Sequence, residues 1–369
     1  DCGGSRLRNK GWCRRTVRHD DWGFRQCVLR LDLRKSRCLD CGRSFRQRIP
    51  GIQPFQRASE SFQEMLYQQH LDGINRSCLG RRKGIGAATV QRYFQRHLQR
   101  RARQDHAPMC PKVLGIDEHF FTRKKGYATT LCDLKNHRIY DVTLGRSAAA
   151  LESYFLALEG KQQVRIVCMD LAAVYRSIVR EHFPQAVIVA DRFHVIRLIN
   201  HHFLACWREI DPAGSRNRGL MSLMRRHRHN LKPDQKLRLQ AYLAEHPALN
   251  VIYRFKQRLC YLLLKKRKTR RQCQKLIPRF LRAVDELRQS GLAQLVTLGD
   301  TLHAWREEIA RMWRFTRSNG ITEGFHNKME TITRQAYGFR NFENYRALDQ
   351  FRGQALDPRL VKQSWEITF

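Results

Sequence analysis

The run VRIVCMD, Val164 to Asp170, is an apolar strand that ends on an acid. AVIVAD, Ala186 to Asp191, repeats that design after one helix-patterned segment, Ala172 to Glu181. Short, mostly apolar runs on either side of a helix read as buried strands, because a strand covered on both faces has little polar alternation. In open α/β sheets, ligand sites gather at the carboxyl ends of strands. One strand-terminal Asp is commonplace, since Asp favours caps and turns. A repeated one is harder to put down to capping.

Upstream, Val113-Leu-Gly-Ile116 is a third apolar run ending in an acid, Asp117. Tyr127 to Cys132 and His137 to Thr143 are rich in β-formers and joined by a turn at Lys135-Asn136, so three consecutive strands in hairpins are expected. Ala148 to Leu158 is helical by pattern, as is Phe193 to Arg208. The order βββαβαβα describes a mixed sheet with helices on its faces, the RNase H-like arrangement. Residues 209–315 are Arg-, Lys- and Leu-rich and mostly helical, with breaks at Pro212-Ala-Gly214, Pro233, Pro247 and Gly291, and read as an α-helical insertion in that α/β domain. Within it, KKRKTRR (Lys265 to Arg271) is either a solvated face or a contact for a phosphate backbone.

The chain returns in SNGITEGFHNKMETITRQAYGFR, Ser318 to Arg340. Asn319, Glu323, Asn327 and Glu330 form one helical stripe, and Ile321, Phe325, Met329 and Ile332 a second that suits a core. Ser318 reads as the N-cap and Gly338 as the end of the helix. Glu323 is thereby held beside two amides, with Lys328, Arg334 and Arg340 following. A carboxylate among amides and cations suits a metal ion working on a phosphate; by itself it equally suits a solvated face.

At the N-terminus, Cys38-Leu-Asp-Cys41 followed by Gly42 has the form of a zinc knuckle, and Cys2-Gly-Gly that of the second half of another, whose first cysteine would fall before Asp1. Gln26 to Arg34 alternates as a strand. A small zinc ribbon is expected, with Zn²⁺ held by Cys2, Cys38, Cys41 and a further cysteine, Cys13 being the substitute; ordinary reduced thiols are the plainer reading. Ala58 to Leu71 and Ala87 to Arg103 read as helices around a Gly- and Arg-rich break, Leu79 to Gly86. That is the pattern of a helix-turn-helix. Its second helix shows Thr89, Gln91, Arg92, Gln95, Arg96, Gln99 and Arg100 on the expected outer face, side chains that read base edges or grip phosphates.

The whole chain has 369 residues and a formal net charge of +37, spread along its length. A field of that size suits a polyanion, with double-stranded DNA the leading partner. No apolar run approaches the ~18 residues of a membrane-spanning helix. No signal peptide is visible, and twelve cysteines in so basic a chain suggest reduced thiols and metal, not a disulfide framework. No Walker-type loop appears, so ATP is not implied.

Gly-Ile-Asp117-Glu-His119, Met-Asp170-Leu, Asp191-Arg-Phe-His194 and Asn319-x-x-x-Glu323-Gly-Phe-x-Asn327-Lys328, followed by Arg334-x-x-Tyr337-Gly-Phe339-Arg340-Asn-Phe342, resemble the ISL-three family of bacterial insertion-sequence transposases, of the DDE, RNase H-like class. The resemblance implies a catalytic triad of Asp117, Asp170 and Glu323, which would bind two Mg²⁺ ions, with Mn²⁺ as a substitute. It implies supporting places around them for Asp191, His194, Asn319 and Asn327. DNA contacts are expected from Thr89, Gln91, Arg92 and Arg96 on the helix-turn-helix, and from Lys328, Arg334 and Arg340 beside the Glu323 motif, with Asn327, Lys328 and Arg334 positioning phosphates or the DNA strand. The expected domains are a zinc ribbon (1–48), a helix-turn-helix (49–106), the first part of the catalytic core (107–208), the insertion (209–315), the second part with the Glu helix (316–357) and a tail (358–369). The implied activity is metal-dependent cleavage and strand transfer at terminal inverted repeats and target DNA, by a homodimer in a synaptic complex in the bacterial cytoplasm, associated with the nucleoid and without a membrane. The competing functions are a catalytically silent DNA-binding regulator and a nuclease that cuts without joining.

Overall fold

A computed structural model describes residues 2–23, 25–105, 109–315, 324–327, 329–331, 342–343 and 345–346, the side chains of 101–105 excepted. The described residues up to Asp105 and those between 109 and 331 belong to two compact units.

The first unit opens with a hairpin of β1 (Leu7–Trp22) and β2 (Arg25–Cys38), extended by β3 (Ser44–Arg46) into a three-stranded antiparallel sheet. Helix α1 (Glu60–Leu71) is fastened to β1: Arg18 N–H donates to the Arg57 carbonyl and Ser59 N–H to the Arg18 carbonyl, both at 2.9 Å. The Ser59 hydroxyl then caps α1, accepting from Phe62 N–H at 3.1 Å. Where the sequence suggests a break between two helices, a third one intervenes, α2 (Arg76–Lys83), before α3 (Ala87–Asp105). Its ends are specified locally: Asn75 accepts from Cys78 N–H at 2.8 Å, and Gly84 closes the helix in the left-handed region at φ +64°. Leu79 explains why so polar a segment stays helical, since it is fully buried with Phe62, Leu66 and Val90. Burying such a side chain contributes roughly 2 kcal/mol. Gly80 lets the turn close, because a Cβ there would stand 2.7 Å from the Ile85 carbonyl oxygen.

The second unit is built on five strands in the order β6-β5-β4-β7-β8. β4 (Val113–Thr122), β5 (Gly126–Asp133) and β6 (Arg138–Leu144) are antiparallel; β7 (Ile166–Met169) and β8 (Val187–Ala190) run parallel to β4. Helices α4 (Ala148–Ala157), α5 (Ala173–His182) and α6 (Arg192–Ile210) connect or follow them. This mixed α/β sheet is the one the sequence predicts, with one correction. Asp117 does not end its strand: β4 continues to Thr122 because Glu118, His119 and Phe120 go on pairing with Thr129, Ala128 and Tyr127 of β5.

From Asp211 to Arg311 the chain is helical, in α7 (Pro212–Arg216), α8 (Arg218–Arg225), α9 (Pro233–Glu245), α10 (Pro247–Leu263), α11 (Arg270–Arg288), α12 (Ala293–Ala304) and α13 (Arg306–Arg311). The expected breaks at Pro212, Pro233 and Pro247 are helix starts, each proline occupying the first turn, where its missing N–H costs nothing. Arginines bolt the insertion to the sheet. Arg192, 6% exposed, donates to the carbonyls of Leu263 at 3.2 Å and Met312 at 2.6 Å. Arg176 stacks 3.4 Å over the Trp305 ring and pairs with buried Glu308 at 3.2 Å, while Arg311 donates to the Ile188 carbonyl at 3.2 Å.

Candidate active site

The parallel register decides the geometry. Ile116 pairs with Met169 and Met169 with Ala190, so the residues that follow in each strand, Asp117, Asp170 and Asp191, form the next row across the sheet. Asp191 N–H continues the ladder, donating to the Met169 carbonyl at 2.6 Å. Side chains in one row of a parallel sheet share a face. Asp117 and Asp170 are on adjacent strands, ~4.8 Å apart, whereas Asp191 is two strands from Asp117. As a set of three, these carboxylates do not converge within 4.8 Å of one another.

His194, in the first turn of α6, stands over the row, its Nε2 3.8 Å from Asp117 Oδ1 and 3.7 Å from Asp191 Oδ2. Asp117 is 6% exposed and accepts from Glu118 N–H at 2.9 Å. Burial raises its pKa to about 8 against that hydrogen bond, and the charges of Asp191, Asp170 and Glu118 push the same way. Asp170 is also raised, first by burial and then by Glu118 and Asp191, with His194 opposing. Its Oδ1 is buried without a hydrogen-bond partner. No lysine or arginine is paired with Asp117 or Asp170 among the described residues. Two acids, one buried and one half-buried, are thus held close and without a lysine or arginine partner among the described residues.

The neighbourhood includes residues that sequence reasoning passed over. His119 shares the Asp117 face of β4, two residues on, and its Nδ1 lies 2.9 Å from Thr130 Oγ1. His326 reaches the same hydroxyl at 3.2 Å, and the two imidazoles stand 4.9 Å apart. Burial lowers both, His119 to about 4 and His326 to about 3, so they are neutral. Period-two alternation along β4 could have flagged His119; no local signal flags His326. Glu118, on the other face, pairs with Arg146 at 3.2 Å, and that guanidinium lies 4.1 Å over the Tyr127 ring.

Of the expected site residues, Asp117, Asp170, Asp191 and His194 are brought together. Asn327 is exposed, in a helical segment whose Phe325 and Met329 are buried as the apolar stripe requires. Asn319, Glu323, Lys328, Arg334 and Arg340 lie outside the described residues. In the first unit, Cys2, Cys38 and Cys41 converge within metal-binding range, Cys2 and Cys38 at 3.5 Å between sulfurs. Cys13 does not join them; it sits in the middle of β1, opposite Leu33. On α3, Arg92 and Arg96 are exposed, Arg96 donating to Gln56 at 2.8 Å. Thr89 is half-buried and accepts from Arg92 at 3.1 Å. Gln91 corrects the expected outer face, its Oε1 being buried.

A basic chain with a row of carboxylates across three parallel strands, Asp117 inside β4 and Asp170 and Asp191 just past β7 and β8, suits an enzyme acting on DNA, and the comparisons name the class as transposase. The family model for ISL3-type transposases of the DDE class, described as "Transposase", matches residues 114–348. The chain belongs to that family, the ISL3 insertion-sequence transposases. It is similar to the transposase for insertion sequence element IS1001 of Bordetella parapertussis, with 25% identity across 86% of this chain and 79% of that protein. None of its described helices is long and apolar enough to cross a membrane.

Proposed function

We propose that Asp117, Asp170 and Glu323 are the catalytic carboxylates of an RNase H-like DDE site. That site cleaves DNA at the terminal inverted repeats of an insertion sequence and transfers the freed strands. The observation that carries this reading is the row of Asp117, buried, and Asp170, half-buried, on adjacent strands, neither paired with arginine or lysine among the described residues. The contact of His326 with Thr130 supports including Glu323, because Thr130 is the residue paired with Asp117.

The donor set fits divalent metal: hard carboxylate oxygens, one of them an orphaned buried Asp170 oxygen, at a place where negative charges repel. Asp117 and Asp170 would hold Mg²⁺ or Mn²⁺ there with Glu323. When bound, a pair of such ions stabilises the attacking and leaving oxygens of an in-line displacement at phosphorus. The chain itself supplies orientation. Asp117 is fixed by Glu118 N–H, and His194 steadies the row from above. His119 and His326, neutral and tied to Thr130, wall the site without bringing positive charge. Asp191, two strands from Asp117, acts as a support.

DNA recognition falls to the first unit. Helices α2 and α3, joined by a turn with Gly84 and Gly86, support a helix-turn-helix reading with Arg92 and Arg96 outward, and the three converging thiols support a structural Zn²⁺. Paired ends call for a homodimer. The test is cleavage and joining of labelled DNA bearing the element's end, with Mg²⁺ or EDTA, by wild type, Asp170→Asn and Glu323→Gln. Metal-dependent cutting and joining lost in both variants is the expected result. Tight binding without cutting under any metal would overturn the catalytic reading in favour of a silent regulator, and cutting without joining would favour a nuclease.

A further inference from the structure

A cavity of about 880 Å³ opens between α6 and α8, beginning at Phe193, the residue next to His194. Five arginines line it: Arg197 and Arg208 from α6, Arg218 and Arg225 from α8, and Arg226 just beyond. No carboxylate is among its lining residues, and none of the five forms an ion pair among the described residues. Two polar atoms of the lining, Arg226 Nε and Asn200 Oδ1, are buried without a hydrogen-bond partner. A folded chain rarely leaves such groups unpaired; Arg226 Nε–H is a donor that a phosphate oxygen would complete, and Asn200 Oδ1 an acceptor that a base N–H would.

The cavity is not purely ionic. Phe193 is 42% exposed at its mouth, and Ile196, Leu204 and Met221 provide apolar wall. Along α6 the lining positions from Phe193 to Arg208 follow one helical face, ~22 Å long at ~1.5 Å per residue. An aromatic at one end of a cationic groove is the make-up of a surface for unpaired nucleic acid, where phosphates follow the cations and a base stacks on the ring. A duplex presents its phosphates but keeps its base faces stacked, so it leaves Phe193 without a partner.

We propose that the α6–α8 cleft is a track for a single DNA strand, the one that leaves the carboxylate row once the duplex end is opened. The first unpaired base lies on Phe193 and the phosphates behind it run along Arg197, Arg208, Arg218, Arg225 and Arg226. This rests on the catalytic reading of Asp117 and Asp170, because Phe193 adjoins that row through His194.

The test measures binding in EDTA, so that it does not depend on catalysis. The full chain is titrated with a fluorescent duplex carrying the element's end, either blunt or with a short oligothymidine tail. The tail is expected to tighten wild-type binding about tenfold, the scale of one stacked base. The variant Arg218→Ala/Arg225→Ala/Arg226→Ala is expected to bind blunt duplex as wild type does and to lose the gain from the tail. A wild type indifferent to the tail, or a variant weakened equally on both DNAs, overturns the proposal. Should the variant not fold, the wild type decides: 5-iodouridine at the first tail position crosslinks to the α6 or α8 peptides if the track is real, and elsewhere or not at all if it is not. Absence of Mg²⁺-dependent cutting by a wild type that passes these tests would count against the catalytic reading alone.

Discussion

His194 Nε2 lies 3.8 Å from Asp117 Oδ1, joining the first turn of α6 to the middle of β4 across the carboxylate row. The imidazole is only partly exposed and also faces Asp191. Replacing it by alanine removes a group that orients Asp117 but creates no buried cavity. The expected result is end cleavage slowed by ~10–100-fold, the range for a partner that orients a metal-binding group, with the thermal midpoint unchanged. Single-turnover cleavage and a melting curve check both halves. A variant that cuts at the wild-type rate removes His194 from the site.

Arg192→Met leaves three carbonyls, those of Leu263, Lys265 and Met312, short of a charged donor inside the protein. A hydrogen bond to a charged group is worth ~1.5–3 kcal/mol, so a loss of about 3 kcal/mol in stability is expected. Denaturant unfolding followed by tryptophan fluorescence measures it, since Trp313 packs beside the anchored carbonyl. A change under 1 kcal/mol would mean that apolar packing alone holds the insertion.

Lys256 is 2% exposed and donates to the carbonyls of Met224 and Arg225, at the end of α8. Burial lowers its pKa to about 8 from 10.5. The sign follows from proton counting. Between pH 8 and 10.5 the unfolded chain holds a proton that the folded one has shed, so stability contributed by this group rises with pH in that window. Lys256→Met is expected to cost ~1–3 kcal/mol at pH 7, because two helix-end carbonyls lose their donor. The deficit relative to wild type should widen from pH 8 to 10. Paired unfolding curves across that range decide it; a constant deficit would show that the ammonium is not desolvated.

The thiols of Cys2, Cys38 and Cys41 predict bound zinc. Cys38→Ser, which removes the buried one of the three, is expected to lose most of the metal and lower the thermal midpoint of the first unit. Metal analysis of purified wild type and variant checks this. Equal zinc in both would mean that the thiols are ordinary reduced cysteines.

Much of the sheet was legible because its signals are local. Three apolar runs each stop at an acid, and a parallel register that pairs Ile116 with Met169 and Met169 with Ala190 turns those acids into one row. The helix starts at Pro212, Pro233 and Pro247 were equally visible, though as breaks. What escaped depends on distant partners. α2 reads as a polar break because a single buried Leu79 carries its packing, and that contact is made by residues of other helices. β4 runs past Asp117 only because β5 is there to pair with it. His326 is neutral because burial and the neighbouring His119 lower its pKa, and its hydroxyl partner, Thr130, lies 196 residues away. Gln91 falls on the outer face of a helical wheel, yet its amide oxygen is buried.

The anchor at Arg192 has a topological consequence. One guanidinium, beside Asp191, holds backbone from the end of α10 and from the last turn before Phe315. The backbone that leaves the sheet through α6 therefore returns, at the end of α10 and again after α13, to the first residue of α6. To the carboxylate row, that whole stretch is a loop with fixed ends. Its outer part, α7 to α9, packs in a cluster of its own with the ends of α6 and α10, so that part is free to vary without moving Asp117 or Asp170, whereas α10 to α13 share the core of β4, β7 and β8.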